Sequence, residues 1–331
     1  MKHAFFRVAL ITAALAFVVI VLGAFVRLSD AGLGCPDWPG CYGKLSWPAG
    51  PEEIARATAD FPERPAETDK AWREMVHRYV AGLLGVFVAA LAVMAFRNRK
   101  DYFQPVILPA LLLALVIFQA LLGMWTVTLL LKPGIVMAHL LGGVATFSLL
   151  VWLTLRSNPT RLFPPPANAM ALKPWIICGI VLLTLQIALG GWTSANYAAL
   201  VCPDFPTCMG QWWPETDFSE GFVLWRGIGV DYEGGVLDHP SRVAIHLSHR
   251  IGAMVMLFFL GGLAIKMIRT PGLDLHGKAL LFVLLAQISL GIMNVQLHLP
   301  LANAVAHSAG ASLLMFCLIS ALHRAVLRQR M

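Results

Sequence analysis

The stretch from Gly23 to Cys41 reads G-A-F-V-R-L-S-D-A-G-L-G-C-P-D-W-P-G-C, and a related stretch from Gly190 to Cys208 reads G-G-W-T-S-A-N-Y-A-A-L-V-C-P-D-F-P-T-C. The two copies lie 167 positions apart in a chain of 331 residues, so the spacing is about half the chain. A repeat of this length indicates that a whole structural unit has been duplicated.

The composition is that of a membrane protein. Hydrophobic residues make up 58% of the chain and charged residues 13%, whereas soluble domains average about 25% charged residues. A membrane-spanning helix needs about 20 mostly apolar residues. The sequence therefore predicts an all-α membrane protein with eight transmembrane helices, at about residues 8–27, 75–96, 105–128, 135–155, 174–194, 243–265, 278–297 and 303–322.

Other residues repeat at nearly the same spacing as the cysteine stretch. The matched pairs, 168 to 172 positions apart, are Gln119 and Gln287, His139 and His307, and His77 and His249. These matches predict two pseudo-twofold-related four-helix bundles with their axis along the membrane normal. The predicted units are an N-terminal bundle at 1–156, a cytoplasmic linker at 157–173 and a C-terminal bundle at 174–331.

The charges predict the orientation in the membrane. One set of connecting segments holds 14 of the 25 basic residues but only two of the 18 acidic ones. The positive-inside rule places that set, with both termini, in the cytoplasm. A bacterial inner-membrane protein is predicted, with both cysteine loops on the oxidising periplasmic side. No dense basic cluster suggests a nucleic-acid partner.

Four of the ten histidines stand out by position, because each lies near the outer end of an even-numbered predicted helix: His77, His139, His249 and His307. Ionisable groups at membrane depth are costly and usually functional. Two imidazoles in each apolar half suit a haem iron with two axial histidines. Zinc would need four ligands, copper is a weaker candidate, and a hydrogen-bonded packing role is the alternative.

The two halves differ one turn before the first histidine of each pair. The first half reads E-M-V-H, from Glu74 to His77, and the second reads H-L-S-H, from His246 to His249. A carboxylate at this place can move protons or orient a bound group, although it can also be an ordinary charge near the headgroups. The difference predicts that the first half is catalytic and that the second holds a fixed cofactor.

Two arginines directly follow histidines, Arg78 and Arg250. Their planar guanidinium groups could contact haem propionates, or they could extend to the membrane surface. A glycine lies near the outer end of each odd-numbered helix, and Gln119, Gln186 and Gln287 each precede one by four residues. For these glycines and glutamines the sequence favours helix packing.

Each cysteine loop has five residues between its cysteines, short enough for a disulfide in an oxidising compartment. The predicted bonds are Cys35–Cys41 and Cys202–Cys208. Each could be a structural clip, and thiol–disulfide exchange with a partner is a second role for the first pair.

In combination, the cysteine stretches, E-M-V-H-R, M-A-H-L-L-G-G, S-H-R and V-A-H-S-A-G resemble the haem A synthase family (the CtaA type) over about residues 8–325. The resemblance implies oxidation of the C8 methyl of haem O to a formyl group by successive hydroxylations, giving haem A for cytochrome oxidase assembly. It implies that His77 and His139 hold the substrate haem O or the product haem A, that His249 and His307 bind the iron of a haem B, and that Glu74 supports turnover.

The resemblance also implies partners: haem O synthase as the donor of substrate, an unidentified electron acceptor or donor, and the lipid bilayer. A homo-oligomer is a further candidate. The alternative function is a quinol-linked, two-haem, bis-histidine electron-transfer cytochrome, which would need neither Glu74 nor the cysteine loops. A transporter built from parallel repeats is a third class.

Overall fold

A computed structural model describes residues 2–101, 104–158 and 168–326. Within these ranges the chain is helical apart from turns and loops. The helices are α1 (Lys2–Leu28), α2 (Pro51–Asp60), α3 (Thr68–Arg97), α4 (Ile107–Thr128), α5 (Pro133–Ser157), α6 (Lys173–Ala195), α7 (Phe218–Gly221), α8 (His239–Ile268), α9 (Asp274–Gln296) and α10 (Leu301–Val326), and a 3-10 turn covers Ala169–Leu172.

Eight of these helices are long and apolar enough to cross a bilayer, namely all except α2 and α7. The chain is therefore a multi-pass membrane protein with eight spans, and the predicted all-α architecture is confirmed. The main difference lies at helix starts, because three helices extend beyond their predicted apolar runs. α1 begins at Lys2. α3 begins at Thr68, and α8 begins at His239, where the Asp238 side chain accepts a hydrogen bond from Ser241 N.

The spanning helices pack in two sets of four. In the first set, α1 and α4 each pack against α3 and α5, and in the second, α6 and α9 each pack against α8 and α10. Each set encloses its own apolar core. The sets meet where α10 packs against α1 and α5, and where α5 packs against α6. The predicted linker, 157–173, falls largely on residues 159–167, outside the described ranges, so the domain boundaries stay a prediction.

Arg27, at the end of α1, joins the two sets. Its guanidinium donates hydrogen bonds to Ser194 O at 2.6 Å and to the Tyr197 hydroxyl at 3.1 Å. The same guanidinium lies 4.3 Å from the centre of the Tyr197 ring. Ser194 is the residue that the sequence repeat matches to Arg27 itself, so the contact links corresponding ends of α1 and α6.

Two long loops lie at the same end of the helices: the first loop, residues 29–67, and the second loop, residues 196–238. Arg64 of the first loop forms ion pairs with Asp231 at 2.9 Å and Glu233 at 2.8 Å in the second. Arg64 therefore links the two loops at this end of the helices.

Lys132 fastens the second loop to the first set of helices. It precedes α5 and its side chain is only 2% exposed. Its ammonium donates to Arg226 O at 2.5 Å and Gly227 O at 3.3 Å, and lies 3.3 Å from the centre of the Trp225 ring. Burying an ammonium is costly unless it is paired, and here the carbonyls and the ring supply the partners.

Candidate functional site

The four predicted histidine ligands share one environment. Each imidazole lies against a glycine of the preceding spanning helix, close enough that a Cβ on that glycine would press on the ring. The distances from such a Cβ to the histidine Cε1 are 3.1 Å for Gly23 and His77, 3.4 Å for Gly123 and His139, 3.1 Å for Gly190 and His249, and 3.1 Å for Gly291 and His307. The glycines predicted for helix packing therefore make room for the histidines.

In the second set of helices the two imidazoles lie close together. The ring centres of His249 and His307 are 6.5 Å apart, with an interplanar angle of 78°. Metal–imidazole bonds are about 2 Å long, so two rings on one ion have centres roughly 6 Å apart. The separation therefore fits a single metal ion between the two rings.

In the first set, His77 and His139 lie close enough to interact electrostatically. The Nδ1 atoms of both rings are buried and have no hydrogen-bond partner among the described residues. Most buried polar atoms in folded proteins are hydrogen-bonded, and exceptions are concentrated at functional positions. The pair has the character of a binding site rather than of packing.

The side chains available near the histidine pairs indicate which kind of ligand they bind. Within residues 2–101, 104–158 and 168–326, no group of three or more His, Cys, Asp or Glu side chains is arranged to hold a metal ion. A structural zinc site usually has four protein ligands. Haem carries its own in-plane ligands and needs only one or two axial ones from the protein. The two histidine pairs therefore fit haem.

His246 is occupied elsewhere. Its side chain is 4% exposed, and its Nδ1 lies 2.8 Å from the carbonyl oxygen of Ala198 in the second loop. His249, one turn later, is the residue whose ring lies close to that of His307. This geometry favours His249 as the ligand and gives His246 a role in holding the loop.

Glu74 connects the first histidine pair to the first cysteine loop. Its side chain is buried and accepts a hydrogen bond from the backbone N–H of Cys35 at 3.0 Å. Its other oxygen forms a salt bridge with Arg78, one turn later on α3. Both carboxylate oxygens are thus engaged, and the group is fixed one turn from His77.

The two arginines that follow histidines hold the cysteine loops. Arg78 donates to the carbonyl oxygens of residues 37, 39 and 40, and Arg250 donates to those of residues 202, 204, 206 and 207. Residues 37, 39 and 40 of the first loop correspond in the sequence repeat to residues 204, 206 and 207 of the second. The propionate contacts predicted for Arg78 and Arg250 stay a prediction, and the observed bonds give both residues a structural task.

Both predicted disulfides are confirmed. The Cα atoms are 4.8 Å apart for Cys35–Cys41 and 4.6 Å apart for Cys202–Cys208. In the first loop the Asp37 carboxylate accepts hydrogen bonds from the N–H groups of residues 42 and 43 at 2.6 and 2.9 Å, and in the second, Asp204 accepts from residues 209 and 210 at 2.5 and 3.0 Å. The two loops therefore share one internal construction.

The hydrogen bonds within the second cysteine loop stabilise the charged form of Asp204. A hydrogen bond from the Thr207 hydroxyl, together with those from the loop N–H groups, lowers the pKa of the Asp204 carboxyl to about 2. Sequence reasoning missed Asp37 and Asp204 as loop-forming residues. The signal was present, since the third residue is Asp in both C-P-D-x-P-x-C copies.

Histidine pairs lying close together among apolar spanning helices are typical of integral membrane proteins that bind haem. The comparison with known families agrees with this class. The model of the COX15-CtaA family, described as cytochrome oxidase assembly protein, matches residues 6–319. The chain belongs to this family.

Individual relatives are similar over nearly the whole chain. A protein named Heme A synthase from Shewanella oneidensis is 43% identical over 310 residues, covering 94% of this chain and 93% of the relative. A protein of the same name from Caulobacter vibrioides is 28% identical over 329 residues, covering 92% and 91%.

Proposed function

We propose that this protein is a haem A synthase that converts the C8 methyl group of haem O to the formyl group of haem A. Two successive hydroxylations followed by loss of water amount to a net four-electron oxidation of the methyl carbon, for which the oxidant is either dioxygen or an external electron acceptor with water as the source of oxygen. The family membership and the similarity to proteins named Heme A synthase support this proposal. The carrying observation is Glu74, a buried carboxylate fixed one turn from His77, where the second half has His246 instead.

The first half receives the substrate. His77 and His139 hold the iron of haem O, and the glycines Gly23 and Gly123 leave space for their rings. The surrounding apolar helices exclude water from the reacting edge, which strengthens electrostatic interactions within the site.

Glu74 handles protons at the reacting edge. Its Oε1 and Oε2 atoms are held by Arg78 and by the N–H of Cys35, so the carboxylate cannot rotate away. Oxidation of a methyl group releases protons, and a positioned carboxylate can accept them at either oxygen. His246 replaces this group in the second half, which therefore has no carboxylate at the matched position.

His249 and His307 of the second half would hold haem B. When bound, haem B supplies a one-electron redox centre. The 6.5 Å separation of the two rings supports this assignment. The protein's own contribution is to fix the two imidazoles, through Gly190 and Gly291, and to cover the outer end with the disulfide loop.

The two sets of four helices form pseudo-twofold-related bundles, supported by the matching helix contacts and by the matching loops. Both termini face the cytoplasm of a bacterial inner membrane, and the disulfide loops face the periplasm. Haem O synthase delivers the substrate, and a further electron carrier completes the reaction.

The test is haem extraction from cells that make no haem A and that express this chain beside a haem O synthase. Chromatography with mass analysis should reveal haem A or its hydroxymethyl intermediate. His77→Ala and His139→Ala should abolish the product while the second-half haem B remains, and His249→Ala and His307→Ala should lose that haem B. Unchanged haem O in cells with folded, haem B-loaded protein would favour the electron-transfer cytochrome.

A further inference from the structure

Three glutamines lie beside the histidines in a repeated arrangement. In three of the four helix pairs, a glycine follows the histidine by three residues. The glutamine of the partner helix fills the space next to that glycine. A Cβ on that glycine would collide with the glutamine side chain. The glutamine and glycine pairs are Gln119 and Gly142, Gln186 and Gly252, and Gln287 and Gly310.

The glutamines of the second half contact the histidines directly. The amide nitrogen of Gln186 lies 3.1 Å from His249 Nδ1 and donates to the His249 carbonyl oxygen at 2.9 Å. His307 Nδ1 lies 3.2 Å from the carbonyl oxygen of Gln287, whose amide nitrogen lies 3.4 Å from His307 Nε2. Each glutamine therefore touches both its glycine and its histidine.

The first helix pair lacks this arrangement. Val19 takes the glutamine position, four residues before Gly23, and Val80 takes the glycine position, three residues after His77. The Nδ1 atoms of His77 and His139 both have no hydrogen-bond partner among the described residues, so the direct glutamine contacts belong to the second half. Of the four histidines, only His77 is paired with a helix that has an apolar residue, Val19, in place of the glutamine.

We propose that Gln186 and Gln287 are positioning residues that fix the rings of the haem-binding histidines of the second half, and that Gln186 sets the proton-bearing nitrogen of His249. An imidazole that binds iron through Nε2 carries its proton on Nδ1 and donates it to a neighbouring acceptor. The amide of Gln186 stands at that nitrogen, and its oxygen is buried without a partner among the described residues. Rotation of the amide by 180° places this oxygen as the acceptor for Nδ1–H, and this bond replaces the one that the amide nitrogen donates to the His249 carbonyl oxygen.

This role has an electronic consequence. A stronger hydrogen-bond acceptor at Nδ1 makes the imidazole a more basic ligand and stabilises the oxidised iron. Hydrogen bonds around haem are among the factors by which proteins set its reduction potential. A glutamine that only filled space would leave the potential independent of the polarity of its end group.

The inference rests on the proposed haem B site, and its test uses the purified full-length protein. The variants are Gln186→Leu, which removes the acceptor, and Gln186→Glu, which keeps the shape and strengthens the acceptor. Gln296→Leu is the matched control, because Gln296 is exposed at the end of α9. The readouts are the haem absorption spectrum, the electron paramagnetic resonance spectrum and an equilibrium redox titration.

Gln186→Glu should lower the reduction potential and Gln186→Leu should raise it. Each shift should be about 59 mV, which for one electron is a tenfold change in the equilibrium constant of reduction. Gln296→Leu should match the parent protein. Shifts of one sign in both Gln186 variants, no shift, or loss of haem from the isosteric Gln186→Glu variant would overturn the inference. Absence of haem from the second half of the parent protein would instead overturn the proposed function.

Discussion

The backbone N–H of Cys35 donates a hydrogen bond of 3.0 Å to the carboxylate of Glu74. One partner belongs to a disulfide loop at the membrane surface, and the other lies on the spanning helix that carries His77. The position of the buried carboxylate therefore depends on the fold of the loop. In the second half, His246 stands in the place of Glu74 and contacts the Ala198 carbonyl oxygen of the second loop, so the matched position holds the loop without a carboxylate.

Replacing Glu74 by Gln should greatly reduce haem A formation. The variant keeps the size of the side chain but removes the proton-accepting charge, and positioned acid–base groups contribute roughly 100-fold to 10,000-fold to rates. The haem bound by His249 and His307 should be retained. Extracted haems and the absorption spectrum of the purified variant measure both outcomes.

Glu63→Gln is the matched control, since Glu63 is an exposed carboxylate of the first loop. It should behave as the parent protein. Normal haem A formation by the Glu74→Gln variant would remove Glu74 from the mechanism.

The two disulfides should stabilise the folded protein by similar amounts but should differ in their effect on haem A formation. By the chain-entropy estimate, a bond that closes a loop this short stabilises the folded protein by roughly 2 kcal/mol. The double variants Cys35→Ser with Cys41→Ser, and Cys202→Ser with Cys208→Ser, should therefore lower the thermal unfolding temperature by similar amounts.

Only the first double variant should also lower haem A formation strongly, because Glu74 is bonded to Cys35. Thermal unfolding and haem extraction of the two variants, prepared side by side, test this. An equal loss of product in both would show that the link between Cys35 and Glu74 has no special importance.

Gly190→Ala should weaken haem binding in the second half. The added methyl group would lie 3.1 Å from His249 Cε1 and would displace the ring. Displacing a metal ligand by changes in its supports typically costs about 10-fold to 100-fold in affinity. Gly261→Ala on α8 is the control, because a Cβ there meets no atom of the described residues within 4 Å. Haem content per protein, measured after purification, should fall only in the first variant, and equal contents would refute the role of Gly190.

His246→Gln should retain haem in the second half. The substitution removes the contact between His246 and Ala198, and a hydrogen bond of this kind contributes about 1 kcal/mol. A modest decrease in unfolding temperature with an unchanged haem spectrum is the expected result. Loss of the haem would mean that His246, rather than His249, is the ligand.

Arg27→Lys should destabilise the protein although it keeps the charge. A lysine cannot bond Ser194 and Tyr197 at the same time with a planar group stacked on the Tyr197 ring. Hydrogen bonds from charged groups contribute about 1.5–3 kcal/mol. Arg56→Lys, at an exposed position in α2, should change nothing. Thermal unfolding in detergent distinguishes the two variants, and equal unfolding temperatures would show that Arg27 does not stabilise the contact between the sets.

The sequence was sufficient for features that depend on local composition and spacing. Apolar runs predict the eight spans, and the cysteine spacing predicts both disulfides. The partners of Arg78 and Arg250 could not be predicted, because a sequence does not show where backbone carbonyls converge in a folded loop. The repeated glycines indicated close helix approach, but only the packed structure shows that the approaching groups are His77, His139, His249 and His307.

The attachment of Lys132 to the second loop can form only late in the synthesis of the chain. Lys132 precedes α5, but the carbonyls that hold it belong to Arg226 and Gly227, 94 and 95 residues later in the chain. The first four spanning helices can therefore enter the membrane before the segment that covers them has been translated. Until that segment has been translated, the carbonyls and the ring that hold the Lys132 ammonium in the folded protein are absent.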